Sequence, residues 1–234
     1  MRRINNTFVI MLIVAFALAG CKSSNSASDS KKTEKPKELT IELKNTYTTK
    51  FMEVASIGYP NFQISYPDNW TLSDDMVDPE DTFETFTLTD KKGAQIKFYH
   101  LENDFGMGSN ADASIVEISK TGESDFIPGM IQATDKSSLG SFSVMKIATK
   151  ELIRIHDDGS MASKKINTPD NKCIYAVLPD SKIGSMECRQ PIAVQFSFDY
   201  SGTISIIATP PENGAFTDQE LKETLAILKS FRTE

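Results

Sequence analysis

Histidine, cysteine and tryptophan are scarce in this chain: two, three and one among 234 residues. His100 and His156 stand far apart, with none of the close His/Cys spacing that zinc sites use, so a metal centre built on them is not expected. No G-x-S-x-G string is present, which removes the usual sequence sign of a serine hydrolase. Long apolar runs are lacking too. The one extended run, Phe8 to Leu18, makes roughly 16 Å of helix, about half the hydrocarbon thickness of a bilayer. A membrane-spanning helix is therefore not expected.

That short run nonetheless has a context. Arg2 and Arg3 precede it and small residues follow at Ala19 and Gly20. This is the layout of a secretory signal peptide. Leu18-Ala19-Gly20-Cys21 resembles the bacterial lipobox. The resemblance implies that residues 1–20 are a lipoprotein signal peptide, and that Cys21 takes a diacylglyceryl group and becomes the mature N-terminus. Several acyl chains make a stable anchor where one does not. The expected location is then the cell membrane, lipid-anchored, on its extracytoplasmic side. Residues 22–37, KSSNSASDSKKTEKPK, contain no large apolar side chain and read as a disordered tether of roughly 20–25 Å reach.

The chain carries 25 basic and 32 acidic residues. Setting aside Arg2, Arg3 and the tether's five lysines and two acids leaves 18 basic and 30 acidic residues, so residues 38–234 lie near −12. Such a charge argues against nucleic acid as a partner. Just under 200 residues without a second linker read as one globular domain.

With Cys21 assigned to lipid, Cys173 and Cys188 remain. They flank CIYAVLPDSKIGSMEC, in which Pro179-Asp180-Ser181-Lys182 is a turn signal. A hairpin centred there would place the two cysteines opposite each other and permit a disulfide; two free thiols, or a metal site completed by the two histidines, are the alternatives.

Alternating apolar residues predict strands at NFQISY (61–66), FETFTLT (83–89) and AQIKFYHL (94–101), the last two joined by Asp90-Lys91-Lys92-Gly93. Residues 141–156 read as one long strand or two short ones. PIAVQFSFDY and TISIIAT, around Ser201-Gly202, suggest another hairpin. Within the mixed stretch 102–138, Asp112–Lys120 has weak helical spacing through Ile115, Val116 and Ile118, and Asp125 could cap a second short turn that Pro128-Gly129 would interrupt. At the C-terminus, Thr217 and Glu220 form a capping box, with Phe216 and Leu221 as a hydrophobic staple. Leu221, Leu225, Leu228 and Phe231 make one apolar stripe. The expected fold class is α+β: a mostly antiparallel sheet with flanking helices, one of them terminal and packed on the sheet.

Phe62-x-Ile64-Ser65-Tyr66-Pro67-x-x-Trp70, the hairpin after it, and a terminal helix ending Ile227-Leu-Lys-Ser-Phe231 resemble the PsbP/Mog-like α/β-sandwich family over roughly residues 50–233. The resemblance implies an accessory, assembly or binding role. It assigns no catalytic residue here.

Several strings imitate active-site motifs. Gly106-x-Gly108-x-x-Ala111 lacks the strand that should run into its first glycine in a dinucleotide site. Ser143-x-x-Lys146 with Lys120-Thr121-Gly122 matches part of the penicillin-recognising pattern. Ser143 and Lys146 fall on a strand, however, where positions three apart point to opposite faces. Asp74, Asp75, Asp78 and Asp81 form a weak calcium candidate without the turn glycine of a calcium loop, and otherwise read as a solvated connection. Tyr59, Tyr66, Trp70 and Tyr99 could line a ligand surface, although aromatics at strand spacing more often belong to a core.

The expectation is a non-catalytic binding or assembly lipoprotein that needs no cofactor. It would reach the membrane through its lipid and meet an envelope protein or small ligand there. A transporter's solute-binding lipoprotein and an envelope enzyme are the alternatives.

Overall fold

The computed structural model describes residues 40–50, 61–78, 83–101, 112–121, 141–156, 158–189, 192, 194–196 and 203–233. All of these belong to a compact unit, Thr40–Glu234; the other unit is Met1–Leu39. The leader, Cys21, the tether, Tyr59, Asp81 and the Gly106–Ala111 string lie outside the described residues.

Two sheets build the unit, and every pairing among the described residues is antiparallel. The small sheet joins β1 (Asn45–Thr48), β2 (Phe62–Tyr66) and β12 (Arg232–Thr233), with β2 in the middle. The large one contains β3 (Trp70–Asp78), β4 (Phe83–Asp90), β5 (Gln95–Leu101), β6 (Ala113–Lys120), β7 (Phe142–Ile155), β8 (Met161–Lys165), β9 (Ile174–Pro179), β10 (Gly184–Arg189) and β11 (Thr203–Thr209). Its order is β10-β6-β7-β9-β11-β5-β4-β3, with β8 paired to the far half of β7. Among the described residues the fold is thus dominated by antiparallel sheet with one C-terminal helix, an α+β fold.

Sequence explains the strands directly. In β4 and β5, Phe86, Leu88, Ile96 and Phe98 are buried, while Thr85, Thr87, Thr89, Lys97 and Tyr99 between them are partly or fully exposed. That alternation is what one covered and one wet sheet face require. Asp90 sets the hairpin between them: its Oδ1 accepts from the backbone N–H of Lys92 (2.9 Å) and Ala94 (2.8 Å). Gly93 takes φ +97°, a conformation other residues adopt only under strain. By contrast, β11 is buried at every position from Thr203 to Ala208, as expected of a strand covered on both faces.

The helix α1 (Asp218–Ser230) starts as expected. Thr217 Oγ1 accepts from Glu220 N–H, and Glu220 Oε2 accepts from Thr217 N–H. It packs against β2, β7 and β9. The buried side is shifted from the leucine stripe: Glu220, Glu223, Thr224, Ile227 and Leu228 are buried, whereas Leu221 and Leu225 are only partly so.

Between the sheets lies an aromatic core. Phe62 stacks on Phe231 at 5.2 Å, Phe86 stacks on Phe98 at 5.0 Å, and Phe98 meets both Phe62 and Phe231 at 5.9 Å. Aromatic pairs at such separations add about 0.5–1.5 kcal/mol beyond area burial.

Two expectations are corrected. Residues 113–120 form strand β6, not helix; β-branched Ile115, Val116 and Ile118 suit a sheet, and each pairs with β7. Residues 74–78 continue β3 instead of forming a connection.

Candidate functional site

The aromatic surface does not assemble. Trp70 is 3 % exposed and donates its indole N–H to Glu223 Oε2 at 3.0 Å. Tyr99 is half-buried on β5 and donates its hydroxyl to Gln195 at 3.1 Å. The strand register separates them: Trp70 opposes Asp90 at one end of the sheet, whereas Tyr99 opposes Thr85 toward the other. Tyr66 is partly buried against the core. Among the described residues, the expected ligand aromatics are structural.

The disulfide expectation also falls. Pro179 to Lys182 does turn, with Asp180–Lys182 as one 3-10 turn, but the chain leaving it does not return beside β9. It crosses to the far edge of the sheet, so β6 and β7 lie between β9 and β10. At about 4.8 Å per strand spacing, three spacings far exceed the Cα separation a disulfide tolerates. Cys173 and Cys188 are free and buried, and burial pushes both thiols up from their ordinary range.

The crossover is held by a polar latch that sequence spacing concealed. Asp180 accepts from Ser143 Oγ (2.8 Å) and from Lys120 Nζ, and its own N–H donates to Ser141 O (2.7 Å). Ser143 and Lys120 therefore do meet, through a carboxylate that neutralises the amine. Lys146 lies on the opposite face of β7 from Ser143, paired with Asp170 at 2.9 Å. Asp170 raises the Lys146 pKa, chiefly through that hydrogen bond. No serine–lysine nucleophile results.

Two further acids sit inside. Glu84 is fully buried; Tyr47 Oη donates to its Oε1 (3.2 Å) and Lys50 N–H to both oxygens (3.0 Å each). His100 faces it across the β4–β5 ladder and is 2 % exposed. Loss of solvent lowers the His100 pKa to about 4, so the ring is neutral at pH 7. Glu223 receives Gln219 (2.7 Å), Asn69 (2.8 Å) and Trp70 (3.0 Å). Burial pushes its carboxyl up, but these three donors outweigh it and hold the group below its usual value. Its neighbour Glu220 pairs with Lys92 at 3.2 Å.

Open space lies elsewhere. One cleft of about 600 Å3 lies beside the β4–β5 turn, lined by Lys92, Gln95, Thr209, Pro211 and Glu212. A second, of about 650 Å3, runs along β7 and β8, lined by Leu152, Arg154, Ala162 and Lys164 with Asp112 and Ala113. Neither contains a buried acid, base or nucleophile. Among the described residues, no three His, Cys, Asp or Glu side chains gather as metal ligands. The side chains of Asp74, Asp75 and Asp78 lie outside that description. The β7–β8 groove was missed from sequence; its signal is Leu152 and Met161 left exposed among lysines in a strand pattern.

Compared with protein-family models, curated proteins and solved structures, the chain matches none.

Proposed function

We propose that this chain is a bacterial lipoprotein whose single domain is held at the extracytoplasmic membrane surface and acts there as a non-catalytic binding or assembly module. The observation that carries the reading is Leu18-Ala19-Gly20-Cys21 behind a basic start and an apolar run too short to span. Residues 22–37 have the composition of a tether, with no large apolar side chain. Anchoring works by confinement: the lipid raises the domain's effective concentration for partners in the same membrane. A non-catalytic role is supported by where the acids are used. Glu84, Glu220, Glu223 and Asp180 each carry structural hydrogen bonds or ion pairs, and none lines either of the two clefts described above. The finer fold reading, a PsbP/Mog-like α/β sandwich, is supported by Phe62–Trp70 entering the core and by a C-terminal helix lying on an antiparallel sheet.

The test is metabolic labelling of the full chain in a bacterial host with an alkyne fatty acid. Label on the membrane fraction, lost in Cys21→Ser, is expected. An unlabelled wild-type chain would overturn the anchor. Crosslinking on intact cells with the same pair then asks whether an envelope protein is captured only by the lipidated form.

A further inference from the structure

The far half of β7 and all of β8 form a ribbon unlike the rest of the molecule. All five residues of β8 are exposed, Met161 by 72 %, and Leu152 beside them by 42 %. Among the described residues β8 pairs only with β7, and no described strand takes its other edge.

The hydrogen bonds show which backbone groups that edge presents. Ile166 N–H donates to Lys150 O at 2.8 Å, and His156 N–H to Ser160 O at 2.9 Å. Antiparallel bonding alternates along a strand. Ala162 and Lys164 therefore bond toward β7, and the N–H and C=O groups of Met161, Ser163 and Lys165 point outward. Natural proteins usually shield such an edge, because it templates pairing with another strand.

Charge narrows the occupant. Arg154 opposes Ala162 and Leu152 opposes Lys164, so Arg154 and Lys164 are diagonal neighbours on one face with Leu152 between them. Among the described residues neither cation, nor Lys165, has an ion-pair partner. These cations sit on a domain near −12, whose remaining surface repels acidic chains. We infer that the β8 edge and its groove dock an extended, acidic segment of a partner protein by strand addition. Outward backbone groups would bind the segment's main chain, and Arg154 and Lys164 its alternate carboxylates. The inference rests on the reading of the domain as a binding module, but not on the lipid.

The test uses the purified full chain and a labelled, end-blocked Val-Glu-Val-Glu-Val-Glu peptide, with Val-Lys-Val-Lys-Val-Lys as control, read by fluorescence anisotropy. Saturable binding of the acidic peptide alone is expected. It should weaken at least about tenfold in Arg154→Glu/Lys164→Glu and again in Ser163→Pro, which removes one outward N–H and no ladder bond. Far-UV circular dichroism checks that both variants fold. Unchanged affinity in a folded Ser163→Pro chain would overturn strand addition, and unchanged affinity in the double variant would overturn the charge reading. No peptide binding, with phosphatidylglycerol vesicles bound instead and released by the double variant, would overturn the inference in favour of a lipid surface. An unlabelled wild-type chain would overturn the anchor while leaving the peptide result standing.

Discussion

The two halves of β7 run through opposite environments. From Phe142 to Ala148 every residue but Lys146 is buried, under α1 and against β9; from Lys150 to Ile155 none is. One strand thus serves as core at one end and surface at the other. Backbone pairing is equally complete in both halves, with β6 on one edge and β9 or β8 on the other. The difference lies in what covers the side chains. Hydrogen bonds define the strand, and burial decides which half stabilises the fold.

The contrast can be broken most sharply at Phe98. It is fully buried among Phe62, Phe86 and Phe231, so Phe98→Ala should cost about 3–5 kcal/mol in urea unfolding. A loss under 1 kcal/mol would mean the aromatic layer is not the core. Next comes His100. Its folded pKa, about 4, lies below the ordinary 6.5, so the unfolded chain binds the proton more tightly. The associated stability is fully present above about pH 6.5 and is lost as pH falls toward 4, in total about 3 kcal/mol. Stability measured across that window should fall less steeply in His100→Gln than in the wild type; parallel profiles would show that the imidazole is not the group responsible. The smallest effect is expected on the ribbon. Met161→Ser should change stability by no more than about 0.5 kcal/mol, and a larger loss would show that the ribbon's apolar side chains are covered after all.

What could be read in the sequence was local. The Thr217–Glu220 box and the Asp90–Gly93 hairpin involve residues a few positions apart, and both form as expected. Ile115, Val116 and Ile118 misled because apolar residues at those offsets fit a helix face as well as a strand buried on one side. Pro179-Asp180-Ser181-Lys182 was rightly a turn, yet its destination depends on Asp180 meeting Ser143 and Lys120, 37 and 60 residues away in the chain. No local pattern encodes strand order. Glu220 and Glu223 are buried although carboxylates usually lie on the solvated side of a helix. Asn69, Trp70, Gln219 and Lys92 are what make their burial tolerable.

Strand order also dictates when the sheet can close. β3, β4 and β5 zip as neighbouring hairpins, and β6 through β10 form a second group. Among the described residues β11 alone joins the groups, matched to β5 along Thr203–Thr209 but to β9 only at Ile207 and Ala208. Contacts this distant along the chain are slow to form. During synthesis from the N-terminus, β5 would therefore present a bare edge until the C-terminal segment emerges. For this fold the hazard of mispairing falls before the arrival of that last long strand, which makes folding a race that β11 finishes.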